Sequence, residues 1–126
     1  MGVIKDNAII SATPASDHSS REGYFVENSA GSVEVVNAAT DEPLGVLVDG
    51  ETTAGQDSVA LMNYKGTVHV KLSGTVVKYD RLELAAGGTV ITEIASGARV
   101  IVGQALEAGV SGDLIEVALQ TPITKS

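Results

Sequence analysis

Residues 99 to 120 read RVIVGQALEAGVSGDLIEVALQ, and residues 42 to 63 read EPLGVLVDGETTAGQDSVALMN. Each stretch is a short apolar run around one glycine, Gly103 or Gly45, then a polar loop, an aspartate and a second strand. Followed outward, the likeness spans two copies, Tyr24 to Tyr64 and Tyr79 to Gln120. In this alignment Asp57 matches Asp113, and Val59–Leu61 matches Val117–Leu119. A β-unit of this size cannot bury an apolar face alone, whereas two packed face to face can. Gly45 and Gly103 are expected where a side chain would collide with the other unit, or at a bulge.

The rest of the chain from Gly23 onward has the same character. Short apolar runs alternate with turn signals every 8–12 residues or so, which reads as a sandwich or barrel. In GTVHVKLSG, Val68, Val70 and Leu72 share one face, and Thr67, His69 and Lys71 the other. Ile115, Val117 and Leu119 likewise share a face. Seventeen valines and ten threonines favour strands, since β-branched side chains suit a pleated surface. No amphipathic helix is expected beyond a short turn near Glu107. The expected organisation is an extended N-terminal arm over residues 1–22 and a single β domain over 23–126. The arm carries two apolar pairs, Val3–Ile4 and Ile9–Ile10, then the polar, Pro14-broken SATPASDHSSRE.

Composition excludes several classes. The formal net charge of −8 comes with eight scattered basic residues, which is unlike a phosphate-binding surface, so no nucleic acid is expected. No stretch is apolar enough for a membrane span, and MGVIKD lacks the basic run and apolar core of a signal peptide. With no cysteine there is no disulfide framework and no thiolate. Aromatic residues make up 3%, so the core must be aliphatic.

Candidate chemistry is sparse. Ser16, Asp17, His18, Ser19 and Ser20 hold the residue types of a serine triad. Neighbours in one flexible loop cannot hold its geometry, and the bland reading of the segment is a frayed terminus. His69 has no second histidine at metal-ligand spacing and reads as a solvated strand residue. Asp41–Glu42 and Asp49-Gly50-Glu51 have no recognised calcium-loop spacing and read as solvated turns. Neither G-x-G-x-x-G nor a P-loop occurs. The expectation is no enzyme and no cofactor.

The order PLGVLV, AGQ, KGTVHVKLSG, VVKYDRLEL, GGTVITE, VGQALEAGVSGD and IEVAL resembles the capsid decoration proteins of tailed bacteriophages, also called cement or head-stabilising proteins. The likeness runs from about Gly23 to Leu119, with VGQALEAGVSGDLIEVAL its most specific piece. Tyr79 departs from the pattern, standing where a small residue or glycine usually precedes the aspartate.

The resemblance implies an all-β, tulip-like barrel or sandwich with an internal pseudo-repeat and an extended arm. It implies a virion protein made in the host bacterial cytoplasm. Such a protein binds the outside of the expanded head, often as a homotrimer, and clamps neighbouring major capsid subunits. The arm residues Val3, Ile4, Ile9 and Ile10 are the expected capsid contacts. Thr67, His69 and Lys71 are a secondary candidate for the subunit interface. The alternatives are an adhesin-like or carbohydrate-binding module, or a tail accessory protein. A sugar reading would gain if Tyr24, Tyr64 and Tyr79 clustered on one exposed face.

Overall fold

The computed structural model describes residues 9–94 and 96–126, and these contain no helix. Among the described residues, ten strands form two antiparallel sheets. The first holds β1 (Ile9–Ala12), β2 (Phe25–Ser29), β3 (Ser32–Val35), β4 (Gly45–Asp49) and β5 (Asp57–Leu61), in the order β1-β5-β4-β2-β3. The second holds β6 (Thr67–Lys71), β7 (Arg81–Leu84), β8 (Val90–Thr92), β9 (Arg99–Ala105) and β10 (Leu114–Lys125), in the order β6-β10-β9-β7-β8. The two orders are one topology used twice. The all-β sandwich with an internal repeat expected from the sequence is therefore the observed fold. The helical turn expected near Glu107 is instead a bend leading towards β10.

The strand registers make the repeat exact enough to align residue by residue. Val26 faces Gly45, and Gly45 faces Leu61. In the second sheet Leu82 faces Gly103, and Gly103 faces Leu119. The glycines thus match as the sequence indicated, and Gly103 borders a bulge as one of the two expectations had it, where the pairing with β7 shifts between Leu82 and Glu83. A Cβ on Gly45 would meet the carbonyl oxygen of Ala60 and Cγ1 of Val59. One on Gly103 would meet the same atoms of Ala118 and Val117. The obstacle is the neighbouring strand of the same sheet, not the other unit.

A second correction concerns Asp57. It pairs with Ala12 in β1, as Ile115 pairs with Val70 in β6. Its counterpart in the second unit is therefore Ile115 and not Asp113.

The two units pack head to tail. The row Phe25, Val46, Ala60, Ile9 crosses β2, β4, β5 and β1 of the first sheet. Phe25, Val46 and Ala60 are fully buried, and the whole row joins the main core. The matching row of the second sheet is Arg81, Gln104, Ala118, Thr67, and it lies on the outer surface. The inner face of the second sheet, with Leu82, Val117 and Val102, packs in the same core as Phe25. The first sheet is thus the middle layer. Its other face carries a smaller cluster of Val26, Val33, Leu47 and Val59. Each fully buried valine or phenylalanine contributes about 1.5–3 kcal/mol, so both faces of the first sheet stabilise the fold.

The units are also stitched by main-chain bonds. Lys71 N–H donates to Gly23 O, Phe25 N–H to Gly88 O, and Gly87 N–H to Asn37 O.

Candidate functional site: the inter-sheet groove and the buried histidine clasp

Of the segment 1–22, Val3 and Ile4 lie outside the described residues. Ile9 and Ile10 lie in β1, the edge strand of the first sheet, paired with Ala60 and Val59. Successive strand residues point to opposite faces, so Ile9 packs on the main core and Ile10 on the smaller cluster.

Beside Ile9 a groove of about 500 Å³ opens between the sheets. Its apolar lining comes from Leu47 and Val48 of β4, Val68 of β6, Leu114 of β10, and Tyr64. Val48 and Leu114 are each 46% exposed there. Thr67 and His69, proposed from the sequence as interface residues, lie in the same lining with Glu22. Ile9 from one group of candidates and Thr67 and His69 from the other thus meet at one place, because β1 and β6 are the equivalent edge strands of the two units. The Thr67 hydroxyl donates to Glu116 Oε2 at 2.6 Å, across β6 and β10. Lys71 stands at the far end of β6 and is not in the lining.

The loop joining β1 to β2 is not the flexible segment expected from its composition. His18 is 1% exposed. Its Nδ1 lies 2.6 Å from Asp57 Oδ2 and its Nε2 lies 2.9 Å from Glu34 Oε1. Its main-chain N–H donates to Glu51 O. Asp57 is itself fully buried, and its second oxygen accepts from Glu51 N–H. The Ser16 hydroxyl donates to Glu34, not to the imidazole. Both ring nitrogens therefore face carboxylates, and neither is left to activate a hydroxyl. This is a clasp and not a catalytic triad.

The electrostatics follow from that arrangement. Burial pushes the His18 pKa down, but hydrogen bonds to the Asp57 and Glu34 carboxylates outweigh it, and the net position is above the usual 6.5. For Glu34, burial pushes up, while the His18 and Val35 hydrogen bonds pull harder, leaving it below the usual 4.5. An imidazolium with two carboxylate acceptors satisfies every buried partner. Sequence reasoning missed the clasp because Asp57 and Glu34 are brought to His18 only by strand pairing.

Tyr64 and Tyr79 line separate cavities, the second a small pocket with Arg81, Gly103, Gln104 and Gln120. The three tyrosines do not share one platform. Among the described residues, no His, Cys, Asp or Glu cluster is arranged to hold a metal ion, and no helix is long and apolar enough to cross a membrane.

No family model matches the chain, and no curated protein matches it. Among solved structures it is similar to the N base of the head fiber gp8.5 of bacteriophage phi29. The TM-score is 0.64 at 16% sequence identity, over 94% of this chain and 98% of that one. The two chains share their fold over the matched length.

Proposed function

We propose that this chain is a structural protein of a tailed-phage head, attached to the outside of the shell. The supporting observation is the fold likeness to a phage head fiber base. The ordered motifs resembling decoration proteins point the same way. In this reading the protein is not an enzyme; it clamps neighbouring major capsid subunits, as a trimer at their junctions. The groove between β1 and β6 is the capsid-facing surface. Its apolar centre and polar rim have the make-up of a modest protein interface. Repetition over a symmetric shell lets modest affinity per site give high occupancy. The acidic surface then faces solvent, where net charge favours solubility.

The test is co-sedimentation with expanded, undecorated heads of the encoding phage. Saturable binding at a fixed ratio to the major capsid protein is expected. Val48→Asp and Leu114→Asp should weaken it strongly while leaving the fold intact, because both side chains are partly exposed. Deletion of residues 1–8 is the appropriate arm variant, since Ile9 and Ile10 pack in the domain. Folded protein that fails to bind intact heads would overturn the reading.

A further inference from the structure

The repeat supplies an internal control that isolates one position. Gly23 N–H donates to Leu47 O, and Tyr79 N–H donates to Ala105 O. Leu47 faces Val59, and Val117 faces Ala105, so Gly23 and Tyr79 are the same step of the repeat. The backbone there is left-handed in both, with φ 88° and 74°. Glycine adopts this at no steric cost, whereas a tyrosine is strained. Such strain persists where the surrounding structure enforces it, and it gathers at functional sites.

What the strain achieves is visible in the surroundings. Tyr79 is 61% exposed beside a pocket of about 170 Å³ shared with Arg81, Gln104 and Gln120, with Gly103 between them. Arg81 and Gln104 face each other across β7 and β9. The Gln104 amide donates to the Tyr79 carbonyl, which ties the aromatic residue to the sheet. The Lys78 ammonium stands 5.0 Å from the ring centre. Among the described residues Arg81 forms no ion pair. The pocket lining contains no carboxylate, although the chain as a whole carries net charge −8.

We infer that this pocket binds a saccharide, and specifically a sugar ring carrying a carboxylate. A pyranose presents an apolar C–H face and a rim of hydroxyl groups. An exposed tyrosine ring meets the first. The flat amide groups of Gln104 and Gln120 donate and accept towards the second. Arg81 supplies the paired donors that a carboxylate takes. The cavity is well below the roughly 300 Å³ at which drug-sized sites begin, so it suits one ring and not a long chain. The site lies apart from the inter-sheet groove, and the inference stands independently of head attachment.

The experiment is an amide-resolved NMR titration of the full chain with methyl glucuronide and, separately, methyl glucoside. Saturable shifts at Tyr79, Gln104 and Gln120 are expected with the glucuronide, and weaker ones with the glucoside. Tyr79→Ala and Arg81→Ala should each reduce glucuronide affinity about tenfold or more. Both side chains are exposed, so an unchanged spectrum elsewhere verifies the fold of each variant. No saturable shift at these residues with either sugar, or shifts unaltered by Tyr79→Ala, would overturn the site. Equal binding of the two sugars would overturn its preference for an acidic ring.

Discussion

His18 and Asp57, in contact at 2.6 Å, occupy positions that Val76 and Ile115 hold in the second unit. His18 N–H donates to Glu51 O, and Val76 N–H donates to Gly109 O at the matching place. Val76 and Ile115 belong to the main apolar core. One unit thus closes with an ion pair where the other closes with two aliphatic side chains. Removing one member of a buried pair strands the other, at about 3 kcal/mol or more. Replacing both by apolar residues is often nearly neutral. His18→Val and Asp57→Ile should each lower the urea unfolding free energy by about 3 kcal/mol. The double variant should stay within about 2 kcal/mol of the parent, the residue being the Glu51 amide left without its acceptor. A double variant as unstable as the sum of the singles would refute the equivalence.

The clasp also sets a pH window. His18 has its pKa raised in the fold, so its contribution is complete below about 6.5 and is lost as pH rises through the folded value. Glu34 has its pKa lowered, so its contribution is complete above about 4.5 and is lost as pH falls through the folded value. Stability relative to the double variant should therefore be greatest between these limits and decline on both sides. Glu34 is 38% exposed at its side chain, so the acid arm should be the shallower. Urea midpoints of parent and double variant across pH will test this. A difference independent of pH would mean the imidazole is not charged in the fold.

Tyr79→Gly removes a strained conformation worth about 1–2 kcal/mol, less what glycine's freedom returns to the unfolded chain. The net expectation is a gain of roughly 1 kcal/mol in thermal or urea unfolding. Gly23→Ala should do the reverse, since its Cβ would also strike Cδ2 of Leu114. Stabilisation by Tyr79→Gly accompanied by loss of glucuronide binding would be the signature of strain kept for a ligand.

Gly45→Ala and Gly103→Ala should each cost about 3 kcal/mol or prevent folding, because the added methyl meets main-chain atoms that have no room to retreat. Gly31→Ala is the contrasting variant. Nothing lies within 4 Å of its Cβ position, so it should cost only the left-handed strain of φ 89°. Circular dichroism melts of the three variants will separate steric exclusion from backbone conformation.

The strands and their repetition were legible because alternation and turn residues act locally. Val68, Val70 and Leu72 are buried as their spacing required, and so are Ile115 and Val117. The place of Gly45 and Gly103 in the repeat was legible too, although not what each glycine avoids. The clasp was hidden because its three side chains come from the β1–β2 loop, β3 and β5. Aligning the copies by strand register would have exposed it. His18 and Asp57 then fall opposite Val76 and Ile115, two polar residues at apolar positions. The groove was half legible. Ile9 and His69 were each singled out from the sequence, but only the two sheet edges bring them together.

Head-to-tail stacking of like units has no inherent stopping point, since each unit offers one face that fits and one that receives. Here both ends are blunted. At one, Arg81 and Gln104 replace the buried Phe25 and Val46 of the preceding unit. At the other, the loop that His18 pins to Asp57 is bonded along Val33 of the smaller cluster, through Ala15 N–H to Val33 O and Val33 N–H to Thr13 O. Both outer faces of the pair thus carry polar groups, the device that keeps the terminal repeats of a solenoid from stacking further. Arg81→Phe with Gln104→Val should restore an adhesive end. Sedimentation velocity should then reveal concentration-dependent growth absent from the parent. The pair of units is in this sense a stack whose two outer faces have been made non-adhesive.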